Sequence, residues 1–226
     1  LHRELEPAPR PDDYQPPTSA DELLRRYAAG ERHFQHAELG GADLAGATLR
    51  GANLEDADLE DADLSGADLE DAWLRSANLE DANLRGARLV NACLRGAYFH
   101  DADFEDADLS DASIPSGNGR GARLVNARLV GAHLKFINLI AADLRGANLS
   151  GSCLEGCRIT RGDLTGANLS GANLIEADLQ GAIVDGADLR GADVTRLFAP
   201  TASFIGAAMD GLDLESADLR GARFEE

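Results

Sequence analysis

Carboxylates are the most numerous reactive groups in this chain of 226 residues, with forty Asp and Glu against twenty-one Lys and Arg and a formal charge of −19. Some recur at fixed intervals: Asp43, Asp63 and Asp103 stand on a twenty-residue step, with Asn83 between them. A pair of carboxylates across a cleft would suit glycoside hydrolysis, and a converging set of about six to eight oxygens would hold Ca²⁺. A regular series does neither, because it lines carboxylates up along a face instead of gathering them around a point. The histidines His2, His33, His36, His100 and His133 are dispersed. Only His33 and His36 lie close together, and a metal there would need further ligands. Cys93, Cys153 and Cys157 are an odd, scattered set that reads as reduced thiols, which implies a cytoplasmic setting. No nucleophile–base pattern stands out, and apart from Gly40-Gly41 the glycines come singly, without a phosphate-cradling loop. The expectation is no enzyme activity, no catalytic residue, no cofactor and no metal.

What positions these groups is a repeat. From Ala37 to about Leu109 the sequence reads in fives: Ala42-Asp43-Leu44, Ala52-Asn53-Leu54, Ala62-Asp63-Leu64, Ala77-Asn78-Leu79. A five-residue period cannot stay on one face of an α-helix, and a plain strand repeats every two residues. It fits a chain that turns one corner per unit and stacks coil on coil. Leu at the central position and the small residue two before it, nearly always Ala, are expected to point inward. Leu44, Leu64, Leu84, Leu124, Leu144 and Leu164 form one such inward column. The residue two after each Leu is mostly Gly, Asp or Asn, the types that best tolerate the positive φ of a type II turn. The register holds through Leu109, Leu124, Leu149, Leu189 and Phe224, and the irregular segment Pro115-Ser116-Gly117-Asn118-Gly119-Arg120 keeps count.

This pattern resembles the pentapeptide-repeat family, whose units read A(D/N)LXX, over about Phe34 to Phe224. The resemblance implies an all-β fold, a right-handed quadrilateral β-helix with four units per coil. About ten coils at ~4.8 Å would make a rod about 45 Å long. Three segments are expected. Residues 1–17, with Pro7, Pro9, Pro11, Pro16 and Pro17, read as a disordered lead. Residues 18–30 read as a short capping helix, with Ser19 as N-cap, Glu22 reaching back to complete a capping box and Gly30 as the stop. Residues 31–226 read as the β-helix.

Two irregularities are expected to be repaired by size exchange. Gly117 and Gly119 replace Ala and Leu, and Ile137, stacked one coil on from Gly117, is expected to fill the space. Leu197 and Ala199 look like a large residue and a small one exchanged within one coil.

Charge is uneven. Residues 53–111 hold seventeen acids against four arginines, net −13, whereas 112–141 hold four bases and no acid. The acidic block carries roughly one charge per 1.1 Å of rod, against one per ~1.7 Å for duplex DNA. Direct binding to nucleic acid or to an anionic membrane is therefore disfavoured, and no apolar run approaches the ~20 residues of a membrane span.

Two functions follow as expectations. The first is a non-catalytic scaffold or protein-interaction rod, whose contact or dimer surface is Ile183, Phe198 and Ile205. Val125, Val130, Phe136 and Ile140 are a second outward apolar set. The second function comes from the resemblance. Some bacterial members mimic duplex DNA, bind type II topoisomerase (DNA gyrase) and protect it from quinolone-like inhibitors. The acidic surface for that role would be Asp56, Asp61, Asp71, Asp81, Asp101, Asp106 and Asp111.

Overall fold

The computed structural model describes residues 11–225. Its organising unit is the backbone bond between residues one coil apart. Parallel bridges join each outward residue to the one twenty positions on, from His33 with Asn53 to Ser203 with Arg223. Corners fall every five residues, so each coil has four sides. Side I carries Asp43 and Asp63, side II Thr48 and Asp68, side III Asn53 and Trp73, and side IV Asp58 and Asn78.

Each unit closes its own backbone accounts. The central Leu donates across the coil gap, as Leu44 N–H to Asp63 O at 2.7 Å, and the corner N–H follows, Gly46 to Ser65 O at 2.8 Å. The next Ala N–H folds back on the same Leu carbonyl, Ala47 to Leu44 O at 3.0 Å, which is the bond of a tight turn. All corners from 36 to 211 lie at φ between +52° and +76°. That is why Gly, Asp and Asn recur there.

The core is a filled tube of the residues expected to face inward. Leu44, Leu64, Leu84, Leu124, Leu144 and Leu164 are all 3% exposed or less. At 25 cal/mol per Å², each buried Leu contributes roughly 2 kcal/mol of transfer free energy, repeated along the axis.

Helix α1 spans Ala20–Ala28, inside the expected segment 18–30. The Ser19 side chain accepts from Glu22 N–H at 3.3 Å, whereas the Glu22 carboxylate accepts from Thr18 N–H, one residue before the N-cap. The helix stops in a Schellman motif: Gly30 at φ +96° donates to Tyr27 O and Glu31 to Arg26 O. Leu23 is buried in the core, and Leu24 and Tyr27 pack against it.

Residues 1–10 of the expected disordered lead lie outside the described residues. Over 11–17 the chain is held. Pro17 is buried and its carbonyl accepts from Glu38 N–H at 2.9 Å, the bond a preceding coil would supply. Proline fits there because an outermost rung needs no N–H of its own. Tyr14 Oη donates to Gln35 O at 2.8 Å, and Arg26 donates to Gln15 O at 2.8 Å.

The repair at Gly117 and Gly119 also differs from expectation. The space belongs to Phe99, stacked one coil before Gly119: a Cβ on Gly119 would overlap the Phe99 ring. At Gly117 a Cβ would stand 2.8 Å from Ile114 Cγ2 and 3.0 Å from Phe99 Cε1. Ile137 is buried, but it is Phe99 and Ile114 that occupy the glycines' space. The same logic recurs at Gly162, whose Cβ would meet Ile159 Cγ2 at 2.5 Å. The branched methyl of each central Ile takes the place of the Ala three residues on. Leu197 and Ala199 are both buried, as a size exchange requires.

Candidate interaction surfaces

The repeat explains the Asp or Asn beside each central Leu before any partner is invoked. Its side-chain oxygen accepts from the backbone N–H two residues on: Asp43 from Ala45 at 3.1 Å, Asn53 from Glu55 at 3.0 Å, Asp63 from Ser65 at 2.9 Å, Asn173 from Ile175 at 3.0 Å. This is an Asx turn leading into the corner, and either residue type can make it. The ladder of Asp43, Asp63, Asn83 and Asp103 lies on side I as expected, with Asn83 Nδ2 donating to Asp63 at 3.0 Å. Among the described residues no group of His, Cys, Asp and Glu gathers as a metal would require. Cys93 and Cys157 are buried and Cys153 half-buried, all three free, and burial pushes the Cys157 thiol up, away from reactivity.

All seven Asp of the candidate acidic surface are exposed corner residues at φ +53° to +59°. They do not share one face. Asp61, Asp81 and Asp101 stack on the edge between sides IV and I; Asp71 and Asp111 line the edge between II and III, with Asn91 between them donating to Asp71 at 3.3 Å. Asp56 stands on the III/IV edge and Asp106 on the I/II edge. Their types are set first by the left-handed backbone and only then available for recognition.

Among the apolar candidates, Ile183 is 42% exposed and Phe198 37%, while Ile205 is half-buried. Ile183 and Ile205 stand on side I in successive coils and Phe198 on the adjoining side IV. Val125, Val130 and Ile140 are half-buried, and Phe136 is 55% exposed at a corner of φ +58°. The Phe136 ring extends over the next corner on its edge, occupying the space a Cβ on Gly156 would need.

A feature absent from the sequence reading concerns where the costly corners fall. The I/II and II/III edges use only Gly, Asp and Asn. His36, Ser76, Ser116, Phe136, Ala141, Arg161, Glu176, Arg196 and Thr201, all left-handed, stand on the III/IV and IV/I edges. A bulky or β-branched residue there is strained. Both edges border side IV. Arg161 and Thr201 also flank Gly181 to form a shallow notch of about 450 Å³ lined with Thr160 and Gln180. Sorting the corners by edge, every fourth unit, would have revealed this from the sequence.

Pentapeptide repeats are matched in eight copies, over residues 33–66, 62–101, 77–114, 120–161 and 162–196. The chain belongs to the pentapeptide-repeat family. Among solved pentapeptide-repeat structures it is similar to HetL, a protein involved in heterocyst differentiation regulation in the cyanobacterium Nostoc sp. strain PCC 7120. The identity is 32% over 92% of this chain and 93% of HetL, with a TM-score of 0.59. That likeness implies the right-handed β-helix. QnrB1, a plasmid-mediated fluoroquinolone resistance protein, aligns at 23% identity over 83% of this chain and 89% of its own, with a TM-score of 0.43. Rfr23 from the cyanobacterium Cyanothece 51142 aligns at 30% identity over 48% of this chain and 64% of its own, with a TM-score of 0.35. Comparison with curated protein sequences gave no match. Among the described residues, no helix of this pentapeptide-repeat protein is long and apolar enough to cross a membrane.

Proposed function

We propose that this pentapeptide-repeat chain is a non-catalytic rod that presents its flat sides to a protein partner. The observation that carries this reading is the exposure of Ile183 and Phe198 on adjoining sides of a tube whose interior is filled by Leu and Ala. Large apolar groups held outward by a rigid backbone lose little conformational entropy on contact, which favours docking. Photo-crosslinking from position 198 in the cells that express the protein is the test. One specific protein adduct, abolished by Phe198→Asp with Ile205→Asp, is expected. Absence of any protein adduct from position 198 overturns the reading.

A second reading is favoured by one observation, the net charge of −13 over residues 53–111. In this reading the rod is an acidic duplex mimic that engages DNA gyrase and shields it from quinolone-like inhibitors. The informative variants neutralise Asp56, Asp61, Asp81, Asp101, Asp106 and Asp111 to Asn, because Asn keeps the left-handed corner that Lys would strain. Protection of gyrase supercoiling by the wild type, lost in that variant, supports the mimic; a wild type that gives no protection ends it.

A further inference from the structure

Side IV holds its charges differently from sides I and II. On side I, Arg85 and Arg123 both reach Glu105 and Asp103. On side II, Arg50 and Arg88 both reach Glu70 and Asp68. On those faces opposite charges meet across neighbouring coils. Over its first seven coils side IV segregates its charges instead, with Asp178 and the Asp218–Arg220 ion pair lying beyond them. Glu38, Asp58, Glu60 and Glu80 stand in its first three coils, and Arg120 and Arg158 in the fifth and seventh, with Arg161 at the adjoining corner. None of these seven enters an ion pair among the described residues. Between the two charged zones lies the coil of Tyr98, 51% exposed, and His100. Asn118 and Asn138 follow, bonded to each other at 3.0 Å.

We propose that side IV is the contact face of an antiparallel dimer with a second copy of this chain. The inference rests on reading the protein as an interaction rod, and it names the partner. A two-fold axis lying in the contact plane, parallel to the strands and through the Tyr98 coil, reverses the order of coils while keeping each outward column opposite itself. Glu80 then faces the second copy's arginine at 120, and Glu38 faces the one at 158. Asn78 meets Asn118, and Tyr98 meets its own counterpart on the axis. Each pair occurs twice, as an isologous interface demands. Moving the axis half a coil toward the C-terminus sets Glu38 against Asp178 and His100 against Arg120. A parallel arrangement sets acid against acid. The charge pattern thus selects the direction, and exchanging Glu80 with Arg120 separates this register from the one half a coil toward the N-terminus, which sets Glu60 against Arg120. Tyr and Arg are among the side chains that most often dominate contact faces.

The strip is seven coils long, about 30 Å at ~4.8 Å per coil, and one side wide. It is smaller than a standard interface of about 1,600 Å² and each copy carries −19, so the dimer is weak, with a Kd in the micromolar-to-millimolar range, and needs salt to screen the repulsion between the copies. The rigid tube offsets part of this weakness, because little backbone is left to order on contact.

Sedimentation equilibrium at about 0.15 M ionic strength, which screens the long-range repulsion between copies, over a concentration series tests the pairing with Arg120→Glu, Glu80→Arg and the exchanged double variant. The expected result is a wild-type dimer, at least tenfold weaker in each single variant and regained in the double. The double carries the wild-type net charge, yet only direct pairing predicts that both singles fail. Phe198→Asp with Ile205→Asp should leave this dimer intact. The proposal is overturned by a wild type that stays monomeric, by a double variant that does not recover, or by a dimer that survives Arg120→Glu. A monomeric wild type would leave the interaction-rod reading standing, since crosslinking from position 198 tests that reading separately.

Discussion

The coils around Leu44, Leu64 and Leu84 and the pair of coils joined by Phe99 and Gly119 fill the same tube by different rules. In the first region each coil supplies its own Leu at the centre and its own Ala beside it, all essentially buried except the half-buried Ala42. In the second, Phe99 reaches past its own coil into the space of Gly119, with Phe104 edge-on at 5.6 Å between ring centroids. Ile114 with Gly117 and Ile159 with Gly162 strike smaller bargains of the same kind. The lesson is that volume is conserved along the stack, not within the unit. A departure from the repeat at one position is answered at the position twenty residues away or three residues on.

That difference is broken most directly by restoring the repeat where it is absent. Gly119→Leu, the residue found at most central positions, should destabilise the fold by about 3 kcal/mol or more, because Phe99 already fills the site. Phe99→Leu alone should cost about 1–3 kcal/mol through the void it leaves. The two together should recover most of the loss, a coupling readable in a denaturant double-mutant cycle. Additive losses would refute the shared-volume account. A smaller effect of opposite sign is expected at the corners. Ala141→Gly and Thr201→Gly relieve left-handed strain and should each stabilise by about 0.5–1 kcal/mol, after the extra chain entropy of glycine is counted. Gly171→Ala, on an edge that uses only Gly, Asp and Asn, should destabilise by about 1 kcal/mol. A raised thermal midpoint in the first two variants and a lowered one in the third is the measurement.

Most of the fold was legible because every unit repeats one physical decision: Leu inward, Ala where only a methyl fits, a φ-tolerant residue at the corner. The buried ends of the size exchange at Leu197 and Ala199 were legible for the same reason. Phe99 was not identified as the partner of Gly119 because sequence register gives the stacking column but not the reach of a side chain along it. Pro17 as a rung was hidden by composition, since a proline-rich stretch reads as lead whether or not its carbonyls find partners. The candidate acidic surface was named by charge as one set of seven, before its members were sorted onto four edges. Side IV was missed for a related reason. Net charge per segment averages over four faces, and segregation on one face disappears in that average.

The smallest effect distinguishes carboxylates that complete a turn from those that only add charge. Asp188 accepts from Arg190 N–H at 3.0 Å and from its guanidinium at 2.7 Å. The guanidinium bond and then the backbone bond hold its carboxyl down at about 2. Asp143 and Asp218 are lowered chiefly by Arg145 and Arg220, and Asp63 and Asp193 chiefly by the hydroxyls of Ser65 and Thr195. A carboxyl whose folded value lies below its unfolded one, near 3.9 for Asp, stabilises fully above that unfolded value. The contribution is lost as pH falls through the folded value. The repulsion of a −19 chain acts in the other direction, easing as acids are protonated. Stability should therefore hold or rise slightly from pH 7 toward about 5, then fall between about 4 and 2. Asp188→Asn keeps the acceptor for Arg190 N–H and removes the ionisable group, so its acid limb should be shallower than the wild type's by a small margin. Thermal midpoints measured at half-unit pH steps would show the contrast with the wild type, and an acid limb unchanged by Asp188→Asn would mean that this Asx carboxylate is interchangeable with any other surface charge.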